Sequence, residues 1–297
     1  MFRNLNAGGL GIAVRESEML ELALTHKFQG INFDIGEFLK KIQSRGLEDA
    51  RRLIASARLK IGEFQLPFDW RADEETFKNA LEEFSLQAEH LAGIGALRCV
   101  ASVLPTSDQL PYHENFELHR QRLGEIARAL KPHGMQLGIA FSAASEHRDS
   151  SQYQFIHEAN AAVMLLKTIS GSNVGLVLDT WDWMVGGGTV ESLLELGTGQ
   201  IVSVRLADIQ QGADLTALSE KERCLPTSEG LVDCLGLLTK LAEENYDGPV
   251  SLCVGRDAFE GLARDSIVKH AAEILHQLWE EAEVRDRKRN AATALQS

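Results

Sequence analysis

An alternation constrains this chain more than any other feature: eight short apolar runs, each followed by a longer amphipathic segment. The runs fall at 2–6, 30–35, 59–66, 96–104, 135–141, 173–179, 201–208 and 249–255. Runs this short and apolar suit strands covered on both faces, and the segments between them repeat apolar residues at the helical period. Within 73–95, Phe77, Leu81, Phe84, Leu86 and Leu91 are expected to form one buried stripe. Eight β-α units predict an α/β fold, a (β/α)8 barrel rather than an open doubly wound sheet, which has fewer strands and a glycine-rich first turn. The first turn, NAGGLGIAV (6–14), lacks GxGxxG spacing, so Gly8, Gly9 and Gly11 read as turn formers. The 297 residues, 44% of them hydrophobic, suffice for one barrel over 1–282. Residues 283–297, where the apolar period fades, are expected to be a C-terminal helical extension.

Charge limits the partners. The 43 acidic residues outnumber the 30 basic ones, giving a formal charge of −13, which argues against a nucleic-acid surface built from clustered Lys and Arg. The basic run RDRKRN (285–290) reads as the solvated end of a last helix. No stretch approaches the roughly 18 apolar residues that span a bilayer, and the first residues do not resemble a secretion signal. No membrane association and a cytoplasmic location are therefore expected. Cys99, Cys224, Cys234 and Cys253 show neither CxxC pairing nor zinc spacing, so they are expected to be reduced thiols.

Chemistry in such a barrel sits at the C-terminal ends of the strands. Ala140 occupies that place on the fifth run, Asp179 on the sixth, Arg205 and Asp208 on the seventh, and Cys253 on the eighth. Arg223 and Arg256 follow in loops, and the segment 104–119 after the fourth run is expected to be a polar loop carrying His113 and Glu114. Asp182, with Trp181 and Trp183 beside it, is a candidate for sugar-like contacts, one tryptophan being expected in the core. Cys253 is weighed as a thiol activated by Arg205 against a small buried filler, and the filler is favoured.

The segments LKPHGMQLGIAF (130–141), NVGLVLDTWDW (173–183), VSVRLADI (202–209), RCLPTSEGLVD (223–233) and NYDGPVSLCV (245–254) together resemble the xylose-isomerase-like superfamily of sugar isomerases, epimerases and endonuclease-IV-like proteins over about 1–280. In active members the resemblance implies a Mn2+, Mg2+, Co2+ or Zn2+ ion held by Glu, Asp, His and Glu. Those positions are here Ala140, Asp179, Arg205 and Cys253. Asp182 replaces the histidine of the family's Asp-x-x-His, and the Arg-x-x-Pro-Gly-x-Gly segment keeps Arg223, Pro226 and Gly230 with an altered interior. The expectation is a divergent member with no metal and no other cofactor. It would bind a small sugar, polyol or sugar acid at the C-terminal face, through Asp179 and Arg205 as candidate catalytic groups and Asp182, Arg223, Trp181, Asp208, Cys253 and His113 as candidate contacts. Arg205 is expected either to neutralise Asp179 or to read a ligand anion. Two alternatives stay open: a metal-independent isomerase, epimerase or lyase using Asp179 or Asp182 as base, and a non-catalytic scaffold subunit. Self-association is compatible with each.

Overall fold

A computed structural model describes residues 1–148, 151–189, 192–193 and 196–294. Nine parallel strands run in the order β3-β2-β1-β11-β10-β9-β7-β5-β4. They are β1 (Phe2–Leu5), β2 (Gly30–Ile31), β3 (Lys60–Ile61), β4 (Phe64–Gln65), β5 (Arg98–Val103), β7 (Gln136–Phe141), β9 (Val174–Asp179), β10 (Ile201–Leu206) and β11 (Pro249–Leu252). A separate antiparallel pair joins β6 (Thr106–Ser107) to β8 (Tyr153–Gln154). β3 and β4 stand at opposite ends of the order, yet only Gly62 and Glu63 separate them in the chain. They are two halves of the third predicted run: the first pairs with β2 and the second with β5. The sheet therefore closes on itself through one chain segment, which gives the (β/α)8 barrel its eight positions.

The break in the third strand has a steric reason. A Cβ at Gly62 would stand 2.4 Å from Oδ1 of Asn4, a buried side chain that fills the barrel interior. Bare backbone there lets the chain pass Asn4 and turn Glu63 inward.

The helices surround the sheet: α1 (Glu16–Thr25), α2 (Ile35–Arg45), α3 (Leu47–Ala57), α4 (Glu74–Gly93), α5 (Tyr112–Leu130), α6 (Ser145–Arg148), α7 (Ala159–Thr168), α8 (Thr180–Val185), α9 (Cys234–Glu243) and α10 (Arg264–Ala294). Asp73 caps α4 by accepting from Thr76 N at 3.0 Å. Its buried stripe is Phe77, Phe84, Ala88 and Leu91, whereas Leu86 is 74% exposed. Leu86 lies two residues past Phe84, about 200° around the helix, so the 3.6-residue period turns it outward.

The stretch 104–119 is a shorter loop than its polarity predicts. Pro111, with φ of −58°, stands at the N-cap of α5, so residues 112–119 are helical. At the other end, α10 runs unbroken through the expected boundary at 282, and Ala282 is buried in the core. No helix of the described residues is long and apolar enough to cross a membrane.

Candidate functional site

Asp179 ends β9 and becomes the N-cap of α8, with φ of −89° and ψ of 116°. Its Oδ1 accepts from Trp181 N at 3.1 Å and Asp182 N at 3.2 Å, so the carboxylate sits where the helix's unpaired amides concentrate positive potential. The same oxygen receives Nη1 of Arg223 at 2.8 Å, while Nη2 of Arg223 reaches Oδ2 of Asp182 at 2.7 Å. Arg223 is a clamp between two carboxylates, and its guanidinium carbon stands 4.5 Å from the centroid of the buried Trp181 ring. Oδ1 of Asp182 accepts from Ala143 N at 2.8 Å.

Burial works against the charge on Arg223, but Asp179 and Asp182 outweigh it and hold the guanidinium above its ordinary value. For Asp182, burial and then the Asp179 charge push the carboxyl up to about 7, with Arg223 pulling the other way.

A second polar group lies across the barrel. Glu63 accepts at Oε1 from Nε of Arg205 at 2.9 Å and Nη2 at 2.7 Å, and at Oε2 from the Ser203 hydroxyl. Asn32 donates to Oε1 of Glu63 at 3.2 Å and accepts from Glu63 N at 3.1 Å. Asn4 donates to Asn32 and to Ser251 at 2.7 and 2.9 Å. Burial lowers the tendency of Arg205 to stay protonated, and Glu63, Cys253 and Asp179 more than offset it. Nη1 of Arg205 and Oδ2 of Asp179 make no hydrogen bond among the described residues.

Asp179, Asp182, Arg205, Arg223 and Cys253 are brought together at a cavity of about 890 Å³, which Ala140 also lines. Arg205 does not neutralise Asp179: its partner is Glu63, because Arg223 already holds the aspartate. The other candidates stand elsewhere. Trp181 and Trp183 are both buried, and Trp183 donates to Thr189 O at 3.0 Å. Asp208 is 0% exposed and accepts from Ile209 N, Val232 N and Thr227 N at 2.7, 2.8 and 3.2 Å, anchoring the loop that delivers Arg223. His113 is exposed on the first turn of α5, outside the cavity lining, and Arg256 donates to Leu262 O at 2.7 Å.

Cys253 lines the cavity, but burial and the Asp179 charge push its thiol up to about 12, the opposite of an activated nucleophile. Sequence reasoning singled out Arg205 but missed Glu63 and the other members of its network, Asn4, Asn32 and Ser203. Their signal was present: Asn4, Asn32 and Glu63 are polar residues inside or at the end of apolar runs, and Ser203 and Arg205 stand two apart on one strand face. His119 was also passed over. It lines the cavity between Trp70 and Phe155, with ring centroids 4.7 and 4.6 Å away. Nδ1 of His119 lies 2.8 Å from Asn115 O, and burial drives its pKa down to about 4.

The chain matches the sequence profile of the xylose isomerase-like TIM barrel family over residues 20–278. It belongs to that family. Inosose isomerase of Bacillus velezensis is 23% identical over 201 residues, 68% of this chain and 69% of that one. A xylose isomerase domain protein from Alicyclobacillus acidocaldarius superposes with a TM-score of 0.83 at 21% identity, over 95% of this chain and 99% of the other. The IOLI protein, crystallised with a zinc atom, gives 0.75 at 20% identity over 94% and 98%. The chain is thus a xylose isomerase-like TIM barrel.

The divalent ion that the family implies does not fit the residues present here. Ala140 offers no donor, Arg205 is a fixed cation, and the Cys253 thiol is protonated at neutral pH. Oδ1 of Asp179 already receives three donors. Among the described residues no three His, Cys, Asp or Glu side chains are grouped to hold a metal.

Proposed function

We propose that this family member binds a small sugar, polyol or sugar acid without a metal, Arg205 supplying the positive charge that an ion supplies elsewhere. One observation carries the reading: Arg205 is locked on one edge by Glu63 while its Nη1 is unengaged at the cavity. A guanidinium fixed by a buried carboxylate is preorganised to donate to a carbonyl, hydroxyl or carboxylate oxygen. Oδ2 of Asp179 is an acceptor suited to a neighbouring hydroxyl. The cytoplasm is the proposed location, on four free cysteines.

The test is thermal denaturation in EDTA with a panel of inositols, ketoses and uronic or aldonic acids, beside elemental analysis of the purified protein. At least one compound is expected to raise Tm in the wild type and not in Arg205→Lys, which keeps the charge and loses the fork geometry. Stoichiometric tight Mn2+ or Zn2+, or a ligand effect that needs added metal, sinks the metal-free reading. No effect from any compound favours a scaffold.

A second reading, a metal-free isomerase or epimerase, is favoured by Asp182: a carboxyl held to about 7 in a cavity is poised to move protons near neutrality. Deuterium entering a bound sugar from D2O in EDTA, and lost in Asp182→Asn, is its signature.

A further inference from the structure

A second cavity, of about 800 Å³, opens over the ends of β1, β2 and β4 and shares Gly8, Gly9, Arg205 and Cys253 with the first. Arg205 and Cys253 form a waist between two lobes of different chemistry. The first lobe offers polar atoms that make no hydrogen bond among the described residues: Nη1 of Arg205 and Oδ2 of Asp179. The second is walled by Ile12, Val14, Met19, Phe33, Leu66 and Pro67.

The two buried or half-buried polar side chains on the floor of the second lobe, Asn32 and Glu63, bond each other; Asn6 and Asp34 each use one side-chain oxygen, accepting from Gly9 N at 2.9 Å and from Glu37 N at 3.2 Å, and Gln65 stands exposed. A hydroxylated ring entering there gives up water and gains few hydrogen bonds, whereas an apolar group gains by leaving water. The first lobe alone also lies within the range of about 300–1,000 Å³ that houses drug-sized ligands.

We propose that the ligand has two joined parts: a polyhydroxylated ring in the first lobe and an aryl or alkyl group in the second, with the linking oxygen beside Arg205 at the waist. Its class is a glycoside with an apolar aglycone rather than a free sugar. Arg205 then donates to the linking oxygen, and the neutral thiol of Cys253 gives a soft contact beside it. The proposal rests on the reading that the first lobe takes a polyhydroxylated ligand.

The experiment is calorimetric titration in EDTA with paired methyl and phenyl β-glycosides of glucose, galactose and glucuronic acid, using wild type, Val14→Trp and Leu66→Trp. The two variants fill the second lobe from different segments, so one remains informative if the other does not fold. For at least one sugar the phenyl glycoside is expected to bind roughly tenfold tighter than the methyl glycoside, the scale of discrimination an apolar pocket provides. Filling the lobe is expected to abolish that gap while leaving the methyl glycoside's affinity in place. Methyl and phenyl glycosides binding equally overturns the two-part ligand and leaves the first lobe's reading standing. A gap that survives in the folded variants overturns the placement in the second lobe. Absence of binding by any glycoside, methyl included, overturns the glycoside proposal, and the panel of inositols, ketoses and sugar acids decides the first lobe's reading separately.

Discussion

Arg205 and Asp179 are direct register partners on β10 and β9, yet they do not form a salt bridge; Arg205 crosses the barrel to Glu63, at 2.7 Å. The reason is prior occupation. Asp179 is held by two α8 amides and by Arg223, so the guanidinium that neutralises it comes from a loop and not from the neighbouring strand. The site is therefore two separate charge groups, Arg223 with Asp179 and Asp182, and Arg205 with Glu63.

The Glu63–Arg205 pair is expected to matter to folding mainly when broken. Its side chains are 4% and 16% exposed, so removing one partner leaves the other charge stranded. Glu63→Ala or Arg205→Ala should each cost about 3 kcal/mol, whereas Glu63→Leu with Arg205→Met together should cost less than the two singles summed, because no charge is left unpaired and only the Ser203 hydroxyl and the Asn32 amide lose an acceptor. Urea denaturation of the three variants checks this; a double variant as unstable as the sum of the singles contradicts it.

Stability should depend on pH through two opposing groups. Asp182, raised to about 7 from 3.8, binds a proton in the folded chain where the unfolded chain does not, so its contribution is present at low pH and is lost as pH rises from about 4 to about 7. His119, lowered to about 4 from 6.5, behaves oppositely: its contribution is present above about 6.5 and is lost as pH falls toward about 4. Asp182→Asn should thus gain on the wild type as pH rises through this window, and His119→Phe should gain as pH falls. Denaturation at pH 4.5 and 7.5 separates them; parallel profiles for all three proteins dismiss both shifts.

The barrel was legible because its signals are local. Each apolar run became a strand, and the Gly62–Glu63 interruption of β3 and β4 lies inside the third run. The positions that differ from the family's metal ligands were legible by motif, since Ala140, Asp179, Arg205 and Cys253 stand at strand ends. Pairing was not legible. Which carboxylate meets Arg205 depends on how strands 142 residues apart in sequence face each other across the barrel, and on whether a loop arginine arrives first. The same limit hid the role of Asp208, whose neighbours lie up to 24 residues away. His113 and Glu114 moved from loop to helix because Pro111 starts α5 where polarity alone suggested irregular chain.

The loop that carries Arg223 should depend on Asp208 and Gly230. Asp208 pairs its backbone with Cys224, at 2.8 and 2.9 Å, and its carboxylate collects three amides; a Cβ on Gly230 would stand 1.6 Å from Oδ2. Asp208→Asn turns an amide group toward backbone donors and should cost about 1–3 kcal/mol. Gly230→Ala, by displacing the carboxylate, should cost a similar amount. Both should also expose the loop to protease between Arg223 and Val232, measured by cleavage mapping; stable, resistant variants contradict the anchoring role.

Thiol chemistry provides the last check on the electrostatics of the site. Cys224 and Cys253 are both partly exposed, while Cys99 and Cys234 are buried. Burial and then Asp179 push the Cys253 thiol up to about 12, so little thiolate exists at pH 8 and Cys224 should react first with a disulfide reagent. The neighbours set the direction of two variants. Asp179→Asn removes a charge that raises the Cys253 pKa and should speed its labelling, whereas Arg205→Met removes a cation that lowers it and should slow labelling further. Mass spectrometry of labelled peptides over time distinguishes the sites. Fast labelling of Cys253 in the wild type, or rates unchanged in both variants, contradicts the placement of this thiol between the two charge groups.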